Sequence, residues 1–246
     1  MRTLGVVCFL TIASCSQAQV VDATIDKWIP KYNAGEFEWV LKKAEALMED
    51  EKAKKTAEPY MWAAMCNLAL YRSEDAKLKD TYKAGLRDAL KYTAKAATKD
   101  SKDLVFIAAQ KEFLSDLKKE GIALAQSYID AKDVRKANYT YKQILTFDPK
   151  DDNIQFAKAV TDIKMSNTVD ADKSIAESLP RIEANYRDLS FKPDPISSPL
   201  LRDAVIFYID HLTMLNLKDS ARHAVFVGRM IYPFDEEIKK KGESLK

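Results

Sequence analysis

The sequence predicts an all-α fold, on three observations. Apolar residues recur at three- and four-residue steps almost throughout the chain from about Val20. Strand-like alternation is nowhere sustained. Glycine (6) and proline (8) are too scarce in 246 residues to supply the turn every roughly 8–12 residues that a β-sandwich or barrel requires. At 47% hydrophobic and 31% charged, the chain can bury a core and is not a disordered tail. Basic and acidic residues number 39 and 37, so no global field draws it to nucleic acid, and no nucleic-acid partner is expected.

The chain opens MRTLGVVCFLTIASCSQAQ, with Arg2 ahead of an apolar run from Leu4 to Ala13. That run is shorter than the about 20 residues that span a bilayer and has the size of a signal-peptide core. Residues 1–18 therefore read as an export signal, and the protein is expected in the periplasm or cell envelope of a bacterium. Two cleavage readings stay open. Ser16 and Ala18 suit ordinary signal peptidase and leave Gln19 first. Ile12-Ala13-Ser14-Cys15 resembles a bacterial lipobox, in which the signal ends before Cys15 and that cysteine is lipidated. Cys15 is thus the possible lipidation site and the one expected membrane tether.

Helical stripes follow in order. They run through Leu41, Ala44 and Leu47, then Trp62, Met65, Cys66 and Ala69, then Ala89, Tyr92 and Ala96. A stripe over Leu104–Leu117 leads to residues 118–151, and Asn153–Ser166 precedes Ala171, Ile175 and Leu179. Leu200–Leu217 and the segment through Ala221 and Val225 close the series. Breaks fall at Asn33–Gly35, Glu58–Pro59, Asp100–Ser101, Asp148–Asp152, Ser190–Pro199 and Pro233, where turn and cap residues gather. Pro193, Pro195 and Pro199 favour extended backbone, so Ser190–Pro199 is a linker, read as a long loop inside one array or as a hinge. The organisation expected is a helical array over 19–189, the linker over 190–199, and a C-terminal hairpin over 200–246 that continues the array.

Residues 118–151 carry a specific pattern. Leu124, Ala125 and Tyr128 lie on a first helix, and Ala137, Tyr141, Ile144 and Pro149 on a second. Small residues at Ala125 and Ala137 let two helices approach, the tyrosines fill the space between them, and Pro149 stops the second helix. This segment resembles a tetratricopeptide repeat, with Gly121 in place of the usual first Trp and Ile144 where alanine is commoner. Ala221, Val225, Gly228 and Pro233 repeat the second-helix spacing, and Gly35-Glu36-Phe37 resembles the turn between the two helices. The resemblance implies antiparallel helical hairpins stacked as a divergent right-handed solenoid. It also implies a partner-binding surface on the first helices, which on this repeat comprises Lys119, Ile122, Gln126, Ile129 and Asp130. Ile122 and Gln126 stand where family members carry the Lys/Asn pair that clamps a terminal carboxylate, so a chaperone-tail receptor is not implied.

Chemistry-bearing constellations are sparse. Cys66, in the apolar run Met61–Leu70, reads as a small buried hydrophobe. His211 and His223 fall on successive helices and cannot complete a zinc site by themselves. The acids of Asp148–Asp152 and of Asp170–Asp172 lack the glycine of a calcium loop and read as turns and helix caps. Asn138-Tyr139-Thr140 fits a glycosylation acceptor by spacing alone. No nucleophile elbow, zinc-protease helix or phosphate loop occurs. No catalytic residue, metal ligand or cofactor is expected. The function expected is a non-enzymatic scaffold that binds a protein or peptide partner. The alternative is a helical glycan- or substrate-binding lipoprotein that stacks sugars on tryptophan or tyrosine.

Overall fold

A computed structural model describes residues 26–100 and 108–245. The expected export signal, its cleavage points and Cys15 lie outside the described residues. Among the described residues there are twelve α-helices and one short 3-10 helix, and no strand. The all-α expectation holds. Packing divides the chain after Asp100 into two units, at one of the breaks marked by the sequence.

Unit 1 contains α1 (Trp28–Asn33), α2 (Phe37–Met48), the 3-10 helix (Ala53–Lys55), α3 (Glu58–Tyr71), α4 (Ala76–Thr81) and α5 (Gly85–Lys99). α3 packs on both α2 and α5. That placement explains its composition: Met61, Ala63, Ala64, Cys66, Leu68 and Leu70 are all buried, because a helix with neighbours on two sides needs apolar residues around its circumference. α2 buries the single stripe Val40, Leu41 and Ala44. α5 buries Leu86, Ala89, Leu90, Ala96 and Ala97 along one side and comes very close to α3. A Cβ added to Gly85 would lie 2.6 Å from the Asn67 carbonyl oxygen. Trp28 and Tyr32 each meet Trp62 edge-on, with centroids 6.1 and 5.5 Å apart, and fasten α1 to the core.

Unit 2 contains α6 (Lys111–Asp130), α7 (Val134–Phe147), α8 (Asp152–Lys164), α9 (Thr168–Arg187), α10 (Leu200–Met214), α11 (Lys218–Ile231) and α12 (Glu236–Ser244). The pairs α6–α7, α8–α9 and α10–α11 are helical hairpins. Between hairpins, α8 packs on α7 and α10, and α11 packs on α9. α12 packs on both α10 and α11. The stripe read over Leu104–Leu117 is not one helix, because residues 109–110 form a turn and α6 starts at Lys111. α9 runs through Pro180, which the sequence did not place inside a helix. Pro180 is exposed, so its ring and missing N–H disturb only the solvent side of the helix.

The three hairpins share one turn. Lys132, Ser166 and Asn216 each take a left-handed conformation, with φ of 60°, 63° and 59°. The next residue's N–H then bonds back to the fifth residue before it, Asp133 to Tyr128, Asn167 to Asp162 and Leu217 to Leu212. This is the Schellman closure, which satisfies carbonyls left over at a helix end. In unit 1 the same closure joins α1 to α2 through Gly35 (φ 79°), where the Glu36 N–H bonds to the Lys31 carbonyl.

Five positions after each left-handed residue comes a fully buried small side chain, at Ala137, Ala171 and Ala221, with Val40 in unit 1. Seven positions before it stands another buried residue, at Ala125, Ala159 and Ile209, with Trp28 in unit 1. Small residues at the crossing let paired helices lie close. Gly228 takes this further: its missing Cβ would sit 2.9 Å from Val205 on α10 and 3.2 Å from Ile238 on α12.

Candidate functional site

α6 presents two flanks with different fates. Gly121 and Ala125 are buried, and α6 packs on α7. On the other flank Lys119 and Asp130 are exposed, and Ile122, Gln126 and Ile129 are half-buried. The five residues expected to face a partner therefore form a continuous, accessible stripe. Gln126 donates a hydrogen bond to Asp130 at 2.9 Å, so the polar end of the stripe is paired within α6. The rest is apolar surface bordered by Lys119.

The stripe does not continue openly onto the next hairpin. With the shared turn as register, the matching residues of α8 are Asn153, Phe156, Val160, Ile163 and Lys164. Phe156, Val160 and Ile163 are buried in the core with Leu201, Val205 and Ile209 of α10. Phe156 meets Tyr208 edge-on at 5.7 Å. The matching surface reopens on α10, where Asp203 and Asp210 are exposed. Beside them His211 stacks on Phe207, with centroids 6.3 Å apart, and the Lys164 ammonium stands 4.5 Å from the Phe207 ring. Burial pulls the Lys164 pKa below its ordinary value, and Asp203 opposes part of that.

Next to the α6 stripe lies an ionic hub that the sequence did not reveal. Lys118 is 8% exposed. Its ammonium lies 2.8 Å from Asp148, 2.5 Å from Asp151 and 2.7 Å from Asp194. Burial works against the charge, but three carboxylates outweigh it and raise the Lys118 pKa. Asp151 also caps α8 by accepting the Ile154 N–H at 3.0 Å. Asp194 accepts from the Ile196 N–H and from the Ser197 hydroxyl. Ser197 in turn accepts from Asn153 at 3.0 Å. The proline-rich segment Ser190–Pro199 is thereby tied to α6 and to the α7–α8 turn. The sequence does carry a trace of this hub, since Lys118 shares a helical stripe with the buried Gly121 and Ala125. A charge on a buried stripe calls for partners.

Other expected residues fall into structural roles. Cys66 is fully buried, and desolvation pushes its thiol pKa up to about 12, which leaves it protonated near neutrality. His223 lies 2.8 Å from Glu183, whose pKa is lowered first by Arg187 and then by His223. Asn138 is half-buried and donates to Thr161 and Asp162 of α8, both at 2.8 Å, so its amide nitrogen is engaged between hairpins. In the second acidic cluster Asp170 lies inside α9, and Asn167 precedes the helix without a side-chain cap, which corrects the expected N-cap. Among the described residues no cluster of three or more His, Cys, Asp or Glu has the arrangement of a metal site. No helix among them is long and apolar enough to cross a membrane. The chain matches no described protein family, no curated protein and no solved structure.

Proposed function

We propose that this chain is an interaction scaffold of the bacterial cell envelope, whose hairpins form a divergent tetratricopeptide-like right-handed solenoid and whose α6 stripe receives a peptide or partner helix. One observation carries the reading: the same left-handed turn and the same buried small residue recur in α6–α7, α8–α9 and α10–α11. Such recurrence is what a stack of equivalent hairpins requires, since each hairpin buries its apolar face on the next. α12 supports it further, because it packs on α10 and α11 as an added first helix does. Closure of the α8 stripe separates the α6 surface from the one that reopens on α10. Export and location rest on the N-terminal sequence.

The glycan-binding alternative has less support. Trp39 is 39% exposed, but the Lys31 and Lys43 ammoniums lie 5.9 and 5.6 Å from its ring, where a stacked sugar would have to displace them.

A photo-crosslinking residue at Ile122 or Gln126, used in cells, tests the scaffold reading. The expected result is one dominant protein adduct at both positions that is missing when the probe sits at the exposed Val169 of α9. Equal adducts at all three positions, or none at Ile122 and Gln126, overturn the assignment.

A further inference from the structure

A second surface of unit 2 lies apart from the α6 stripe. Between α11 and α12 opens a cavity of about 600 Å³, lined by Val225, Phe226 and Met230 together with Arg222, Arg229 and Lys239. That volume lies within the range of roughly 300–1,000 Å³ typical of ligand pockets. Phe226 is 50% exposed there, a large apolar side chain half open to water.

The packing of the unit shows what shape such a surface receives. The second helix α9 is flanked by the second helix α11, through Glu183 to His223 at 2.8 Å and Arg187 over the Phe226 ring at 5.4 Å. α12 stands on α10 and α11 as a further first helix. The cavity is bounded by one residue set from α11 and one from α12, which is the seat a further helix would occupy. Gly242 belongs to that wall and lets α12 lie close on α11, since a Cβ there would lie 2.8 Å from Val225.

Charge selects the occupant. Arg222 is engaged, donating to Asp219 and to the Leu245 carbonyl, both at 3.0 Å. Lys239 has a loose contact with Glu236 at 3.5 Å. Arg229 has no ion pair among the described residues, and Glu243 is the one acid that lines the cavity. Arg229 without an ion pair, and Arg222 and Lys239 each held by one acid, border an apolar floor, which fits a helix whose apolar stripe is bordered by Asp or Glu. We propose that the α11–α12 cavity docks an acidic amphipathic helix of a partner protein, seated against α11 and α12 as α11 is seated against α9 and α10.

The test uses the full chain and a fluorescein-labelled helical peptide with leucine at three- and four-residue spacing bordered by glutamate, beside the same peptide with lysine for glutamate. The expected result is binding of the glutamate peptide alone, with amide shifts in NMR confined to α11 and α12. Arg229→Glu and Phe226→Ser should each weaken it about tenfold, and Glu243→Lys should strengthen it about threefold. A gain at Glu243→Lys cannot come from misfolding. Ile122→Glu on α6 should leave this affinity unchanged, which separates failure here from failure of the α6 reading. No binding, equal binding of both peptides, shifts elsewhere, or indifference to Arg229→Glu overturns the proposal.

Discussion

Unit 1 and unit 2 are both helical, yet they solve the burial problem differently. Unit 1 places α3 between two neighbours and gains its cohesion from close backbone approach, at Gly85 and along the alanines of α5. Its price is poor polar accounting: the Thr93 hydroxyl and Glu58 Oε2 are buried without partners. Unit 2 repeats a hairpin and adds polar links, Asn138 to Asp162 between successive hairpins and Lys118 to Asp194 between α6 and the proline-rich segment. Among the described residues no atom of unit 2 joins the two orphaned ones of unit 1. One unit is therefore governed by shape, the other by shape and by charge state.

The largest effect expected is at the hairpin crossing of unit 2. Ala137 is fully buried, so Ala137→Trp should cost about 3 kcal/mol or more, read as a lowered denaturant midpoint. An unchanged midpoint breaks the repeat register. In unit 1, Gly85→Ala should cost about 2 kcal/mol, because the strain against the Asn67 carbonyl outweighs the up to about 1 kcal/mol of helix propensity gained. Amide exchange in α3 and α5 would report it, and faster exchange spread evenly over the chain would blur the contrast between the units.

Charge should matter in unit 2. Lys118→Met leaves three aspartates facing each other and should cost about 2 kcal/mol near neutral pH, discounted because Asp148 and Asp194 are partly solvated. Burial raises the Asp194 pKa, but Lys118, the Ile196 N–H and Ser197 more than reverse that, so the folded value is lowered. A lowered folded pKa contributes stability above the unfolded value of about 4 that disappears as pH falls through the folded one. The unfolding midpoint should therefore drop on acidification, and more steeply in the parent than in Lys118→Met. Parallel curves would remove the hub from the account.

Two substitutions should stabilise. Thr93→Val removes an orphaned buried hydroxyl at constant shape and should raise the stability of unit 1 by about 1 kcal/mol in thermal unfolding. Lys132→Gly relieves a left-handed lysine in unit 2, at a cost in chain entropy, for a net gain of about 0.5 kcal/mol. A loss at Lys132→Gly would show that the lysine stem packs in the turn.

Local patterns were legible in the sequence. The α6–α7 hairpin could be read because Ala125, Ala137 and Pro149 lie within one helix pair, where spacing alone fixes the contact. The C-terminal hairpin could be read from Ala221, Val225 and Gly228 for the same reason. Closure of α8 could not, because Phe156 and Val160 look like any apolar stripe until α10 covers them. Nor could the Lys118 hub, which joins Lys118 to Asp194 across a long stretch of chain. The α6 stripe itself could be read only through the family resemblance, since Ile122 and Ile129 have no chemistry that separates a contact face from a core face.

The hub also makes Lys118 an internal clock. Acylating reagents attack the neutral amine, and in the folded chain that form is disfavoured by three carboxylates while the amine is shielded from the reagent. Surface lysines such as Lys150 react at once by comparison, because they are exposed. Acylation at Lys118 then counts the moments when α6 parts from the α7–α8 turn, and its rate in native buffer measures how often this part of the chain opens.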